Sequence, residues 1–148
     1  MNIELIVVGK TDSKEVEALV SMYTRRLSHY VRFGITTLPD LRNTKNLSSR
    51  QQNKSEGDRI LALLDEGGKE FRSVEYAEWI EKKMASGLRR LVFVIGGPYG
   101  FSEAVYKRAD AKVSLSKMTF SHQIVRAIFT EQLYRAFTII KGEPYHHE

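Results

Sequence analysis

The spacing of apolar residues changes several times along the chain, and each change marks an element. Ile3 to Val8 (IELIVV) is a short apolar run closed by Gly9, which predicts a first strand. Asp12-x-x-Glu15 has the form of a capping box, and Val16, Leu19, Val20, Tyr23 and Leu27 then recur at helical spacing. Phe33 to Leu38 (FGITTL) is rich in β formers and stops at Pro39, predicting a second strand. A basic, polar stretch from Asp40 to Lys54 follows and leads into a polar helix predicted from Ser49 to Ala62. Leu63-Leu64-Asp65-Glu66-Gly67-Gly68 then reads as a strand end and turn. Ser73 is the expected cap of the next helix, with Glu75 and Glu78 early, Lys82 and Lys83 late and Gly87 just beyond. That charge order suits a helix dipole. Leu91 to Ile95 (LVFVI) is continuously apolar, as expected of a strand buried on both faces of a parallel sheet. A glycine loop, a helix, a short strand and the segment Leu115 to His122 lead into a long final helix.

The alternation of strand and helix predicts an α/β fold with a mostly parallel sheet and helices on both faces. No repeat, linker or low-complexity tract divides the chain, so residues 1–148 are read as one domain. On the last helix, Ile124, Val125, Ile128, Phe129, Leu133, Ala136, Phe137, Ile139 and Ile140 cover an arc of roughly 220° at about 100° per residue. So wide an arc predicts burial on two sides, and the second side is assigned to another subunit, a homodimer. His122 and Arg126 fall inside that arc. Two readings are open for them: satisfied core groups, or polar groups facing the loops at a helix N-terminus that favours anions. Glu131 and Arg135, four apart on the polar side, read as a surface pair.

Composition narrows the chemistry. The absence of cysteine excludes disulfides, thiolate metal sites and thiol nucleophiles. Twenty-three Lys plus Arg against 18 Asp plus Glu give a net charge of +5, consistent with a polyanionic partner such as nucleic acid. Arg42, Lys45, Arg50 and Lys54 concentrate that charge in the basic stretch. The N-terminus lacks a basic leader and a cleavage site, and no apolar run could span a bilayer, so no membrane association and a cytoplasmic location are expected. Gly96-Gly97-Pro98-Tyr99-Gly100 is not the GxGxxG fingerprint, and no Walker loop or serine nucleophile elbow occurs, which disfavours NAD, ATP and acyl-enzyme chemistry. His146-His147 lacks the spacing of a helical metal pair, and no metal is expected.

Four ordered strings carry a resemblance that periodicity cannot supply. LVFVIGGPYGFS (Leu91 to Ser102), LSKMTFSHQIVR (Leu115 to Arg126), EQLYRA (Glu131 to Ala136) and PYHHE (Pro144 to Glu148) together resemble the ribosomal RNA large subunit methyltransferase H family of SPOUT methyltransferases. The resemblance covers nearly the whole chain. It implies a C-terminal trefoil knot, a homodimer, and transfer of a methyl group from S-adenosylmethionine, leaving S-adenosylhomocysteine, to N3 of a pseudouridine in helix 69 of 23S rRNA on assembled ribosomes. By that analogy the cofactor lies against Leu64, Gly96 and the loop Leu115, Ser116, Lys117, Met118, Thr119 and Phe120. His122, Arg126, Tyr145 and His146 are the implied catalytic set, the last two on a tail that completes the partner's site. One departure stands out: the family pattern has a turn and a full apolar strand before Leu64, whereas here the predicted helix runs straight into the strand's end. The rival from another class is a ribosome- or RNA-binding module that kept the fold without the chemistry; binding of the methyl donor separates the two.

Overall fold

The computed structural model describes residues 1–39, 59–97 and 100–147. The chain runs β1 (Asn2–Val8), α1 (Lys14–Leu27), β2 (Arg32–Leu38), β3 (Arg59–Glu70), α2 (Ser73–Ala85), β4 (Arg90–Ile95), α3 (Glu103–Arg108), β5 (Ala111–Ser114) and α4 (Ile124–Ile140). The five strands form one sheet in the order β2-β1-β4-β3-β5, and every pairing is parallel. Parallel neighbours need crossovers, and those crossovers put helices on the faces.

Strand alternation divides the core in two. Ile3, Leu5 and Val7 of β1 and Leu91, Phe93 and Ile95 of β4 point to the face carrying Leu27 of α1, Ile80 of α2 and Phe129, Leu133 and Phe137 of α4. Ile6, Val92, Val94, Leu61 and Leu63 point to the opposite face, where Val105 of α3 covers them. The expected α/β sheet with helices on both faces is therefore what forms.

Three details depart from the sequence expectations. The N-cap of α1 is Ser13 rather than Asp12, its hydroxyl accepting the Val16 amide at 3.3 Å. Likewise Arg72, not Ser73, occupies the cap of α2, where its amide donates to Glu75 Oε1 at 2.8 Å; Ser73 is the first helical residue. The third is larger. Residues 59–62, expected to be helical, form the first half of β3, and Leu63-Leu64 is its middle, not its end. Leucine and alanine favour helices in isolation, but a slot between β4 and β5 buries Leu61, Ala62 and Leu63 and overrides that preference. With β3 starting at Arg59, the apolar strand that looked truncated is complete. The basic stretch with Arg42, Lys45, Arg50 and Lys54, the rest of the expected polar helix, Pro98, Tyr99 and Glu148 lie outside the described residues.

The wide apolar arc of the last helix has an account within one chain. α4 lies on the sheet between α1 and α2, so three surfaces meet it. Tyr134 packs against Tyr23 on one flank, and Gln132 accepts from Ser73 Oγ at 3.0 Å on the other. Ile124, 38% exposed, is left at the helix start.

Candidate active site

Three loops leave the carboxyl ends of β3, β4 and β5 on the same edge of the sheet, where open α/β folds bind their ligands. The first is an excursion within β3. Pairing with β5 holds to Leu64, breaks, and resumes at Lys69. Gly68 makes the return possible, since a Cβ there would lie 2.6 Å from the Lys112 carbonyl carbon. The second loop begins as β4 runs into Gly96 and Gly97, and the Gly100 amide donates back to the Gly97 carbonyl at 3.0 Å. Gly100 has φ +73°, a backbone region open to glycine at no steric cost. The third loop follows β5 and is shaped by its own serines. Ser114 Oγ donates to the Ser116 carbonyl (2.9 Å), Ser116 Oγ accepts the Met118 amide (3.0 Å), and Ser121 Oγ accepts the Ile124 amide (3.1 Å) at the start of α4.

Together the loops enclose a cavity of about 410 Å³, within the range of about 300–1,000 Å³ usual for small-molecule sites. Leu64, Gly96, Leu115, Ser116, Met118, Thr119 and Phe120 line it, so seven residues of the cofactor set expected from the sequence meet at one place. Lys117 does not. Its ammonium is exposed and lies 3.7 Å from Glu70. His122 also lines the cavity, next to Val125.

Sequence reasoning missed the acidic and aromatic side of this site. Asp65 and Glu66 sit on the β3 excursion and face the cavity, Glu66 accepting from Thr119 Oγ1 at 2.7 Å and so tying the first loop to the third. Tyr106 of α3 lines it too; burial, then the charge and hydrogen bond of Asp65, raise its phenol above the ordinary value. The sequence carries one signal for it, two carboxylates directly after an apolar strand in a segment that otherwise reads as a turn.

The four expected catalytic residues do not converge in this chain. Arg126 is 2% exposed and points away from the cavity, to the end of β1. Its guanidinium donates to the Val8 carbonyl (2.7 Å), Thr11 Oγ1 (2.9 Å) and the His122 carbonyl (3.0 Å), and burial lowers its pKa while Asp12 opposes the shift. Gln123 reinforces that junction, donating to the Lys10 carbonyl and accepting from the Asp12 amide. Arg126 is thus a buried guanidinium whose partners are all within the chain. Tyr145 and His146 lie further along α4. The Tyr145 hydroxyl donates to Glu131 Oε1 (3.3 Å), Arg135 stacks over the Tyr145 ring, and Arg135 Nη1 lies 3.1 Å from His146 Nδ1. Glu131 and Arg135, expected to be a solvated surface pair, are instead half-buried partners at 2.8 Å that seat the tail.

Among the described residues no group of three or more His, Cys, Asp or Glu could hold a metal ion, and no helix is long and apolar enough to cross a membrane.

A parallel sheet with its pocket built from the last three strand-end loops defines a class, and comparison with known proteins agrees. The model of a family described as "Predicted SPOUT methyltransferase" matches residues 1–146. Two solved structures share the fold. A probable methylase family protein from Haemophilus influenzae superposes with TM-score 0.54 at 9% identity, over 99% of this chain and 70% of its own. The SpoU methyltransferase AviRb from Streptomyces viridochromogenes, solved with the cofactor AdoMet, gives 0.51 at 12% identity, over 95% of this chain and 58% of its own. Among curated proteins, the ribosomal RNA large subunit methyltransferase H of Christiangramia forsetii is 60% identical over 156 positions, covering 99% of both chains. That of Flavobacterium johnsoniae is 57% identical over 157 positions, covering 100% of both. The chain belongs to the ribosomal RNA large subunit methyltransferase H family, within the SPOUT methyltransferases. The alignment with that relative runs over 157 positions against 148 residues in this chain, so nine positions have no counterpart in the sequence.

Proposed function

We propose that this chain transfers a methyl group from S-adenosylmethionine to N3 of a pseudouridine in helix 69 of 23S rRNA, on the assembled ribosome, as a homodimer with a knotted C-terminal part. The observation that carries this reading is the meeting of seven expected cofactor residues, on three separate loops, around one cavity at the carboxyl edge of the sheet. The names borne by relatives at 57–60% identity support the ribosomal RNA substrate.

The residues present fit the donor. Leu64, Ile95, Leu115, Phe120 and Val125 offer apolar walls to an aromatic base, and the serine-folded third loop presents backbone amides and carbonyls to its edge. Asp65 and Glu66 place carboxylates where a cationic, hydroxyl-bearing molecule needs acceptors. When bound, the cofactor supplies an electrophilic methyl on a positively charged sulfur. Methyl transfer to N3 would require the N3 proton to leave, and a base of this chain would receive it. The chain's part is to hold the two reacting atoms within about 3–3.5 Å and to receive that proton.

We assign that base to His122, a reading supported by its position on the cavity wall. Tyr145 is not that base: burial first, then its hydrogen bonding to Tyr23 and the charge of Glu131, hold its phenol protonated far above neutrality, which leaves it a donor and a stacking surface. In the homodimer the tail of one subunit completes the site of the other. Arg126 acts by fixing the backbone of His122, not by touching RNA.

The test is to incubate the chain with labelled S-adenosylmethionine and ribosomes lacking the modification, then map the labelled nucleotide. A single methylated pseudouridine in helix 69 is expected. Label at another nucleotide would overturn the substrate assignment, and donor binding without transfer would favour the non-catalytic module.

A further inference from the structure

The wall of the cofactor cavity carries a charge opposite in sign to that of the chain. Twenty-three Lys plus Arg against 18 Asp plus Glu leave the molecule at +5, so the field of the whole protein disfavours a cation. Asp65 and Glu66 line the cavity, and among the described residues no Lys or Arg does. Two cations stand near it without joining the wall. Lys112 holds its ammonium 5.6 Å from the Tyr106 ring centroid, and that of Lys117 lies 3.7 Å from Glu70. The local sign at the cavity is therefore set by its own carboxylates.

Both carboxylates are tied in place by neutral groups. The Tyr106 hydroxyl, on α3, hydrogen-bonds Asp65, and Phe101 meets the Tyr106 ring edge-on with centroids 5.7 Å apart. From the third loop, Thr119 Oγ1 donates to Glu66 Oε1 at 2.7 Å. A hydroxyl orients a carboxylate without cancelling its charge. Asp65 is half-buried and Glu66 is exposed, so water screens the first charge less than the second.

We infer that Asp65 and Glu66 make this cavity select its occupant by charge, favouring S-adenosylmethionine over S-adenosylhomocysteine, with Asp65 the stronger of the two. The inference rests on the methyl-transfer reading above. Donor and product share adenine, ribose and amino-acid end, and differ by one methyl group and the positive charge on sulfur. Contacts to the shared parts hold both alike. A carboxylate charge within the cavity separates them, because a Coulombic attraction acts across several ångströms and needs no contact at sulfur. Once the methyl is gone, Asp65 and Glu66 no longer have that charge to attract, and the next donor displaces the product more readily.

Calorimetry tests this with three ligands: S-adenosylmethionine, S-adenosylhomocysteine, and sinefungin, an analogue with an ammonium in place of the methylsulfonium. Each is titrated into the wild-type chain and into Asp65→Asn, Glu66→Gln and Glu70→Gln. Asparagine and glutamine keep an acceptor oxygen for Tyr106 and Thr119 and remove only the charge. Asp65→Asn should weaken the donor and sinefungin by about fivefold or more while the product stays within about twofold, and Glu66→Gln should do the same by a smaller factor. Glu66 is exposed, so its variant reads the charge even should Asp65→Asn fail to fold. Glu70→Gln removes a carboxylate that is off the cavity wall, and should leave the ratio of donor to product affinity where it is. Equal weakening of all three ligands in both cavity variants would overturn the inference while leaving methyl transfer standing, since the carboxylates would then serve groups common to donor and product. Unchanged affinities in both would overturn it too. A wild-type chain that binds neither donor nor product would overturn the underlying reading, and this one with it.

Discussion

Arg126 shows how far a single residue can be read in advance. Its place inside an apolar arc announced a buried charge in need of partners, and the partners exist, but their identity depended on where β1 ended relative to α4. No spacing rule links Val8 and Thr11 to a residue more than a hundred positions away. Arg126→Met should destabilise the fold by about 2–3 kcal/mol in denaturant unfolding, because it strands the Val8 carbonyl in the interior. Lysine should not rescue it, since one ammonium cannot reproduce a three-way fork. A variant as stable as the wild type would mean that water replaces the guanidinium. The expected cofactor set came from the family strings, and seven of its eight residues line one cavity. Lys117 was carried along by its neighbours, and its long side chain follows Glu70 into solvent.

At the level of elements, β4 and β3 make an instructive pair. Both are buried on the two faces of the sheet, yet Leu91 to Ile95 carries β-branched residues, whereas Leu61-Ala62-Leu63-Leu64 is composed of helix formers. Composition identified the first strand and concealed the second, whose state is set by its neighbours in the sheet. The tail was legible as chemistry but not as structure, since Glu131 and Arg135 look like any helical surface pair until Tyr145 and His146 fold over them. A further tether, Tyr30 to Glu143, holds the segment before it. The hydrogen bond to Glu143, with burial adding to it, raises Tyr30 from about 10 to about 12. The folded state thus binds the phenolic proton more tightly than the unfolded one. Its contribution is whole below pH 10 and lost as pH rises through about 12. The difference in melting temperature between wild type and Tyr30→Phe should accordingly shrink over that interval; a difference constant with pH would show that the ring's packing, not its hydrogen bond, holds the tail. Removing Tyr145 to Glu148 should abolish methyl transfer with the melting temperature little changed, and retained transfer would remove the tail from the mechanism.

For the whole molecule, the alternation of strand and helix sufficed to foresee a parallel sheet, while the order β2-β1-β4-β3-β5 was beyond reach because it depends on which crossover passes over which strand. The family strings supplied what physics alone could not, membership of a ribosomal RNA methyltransferase family. The broad arc of α4 turned out to be shared among the sheet, α1 and α2, so the case for a homodimer rests on the family and on Ile124 at the helix start rather than on arc width. Light scattering at micromolar concentration should give twice the chain mass, and Ile124→Asp should shift it toward the monomer. A net charge of +5 further predicts that ribosome binding weakens steeply with salt.

The central claim is that the loops after Leu64, Gly96 and Leu115 form one cofactor site. A crystal structure of the chain with S-adenosylmethionine tests it most directly: the account predicts the adenine between the Gly96 turn and the segment from Leu115 to Phe120. Density for the donor at any other place on the molecule, with those loops empty, would contradict it.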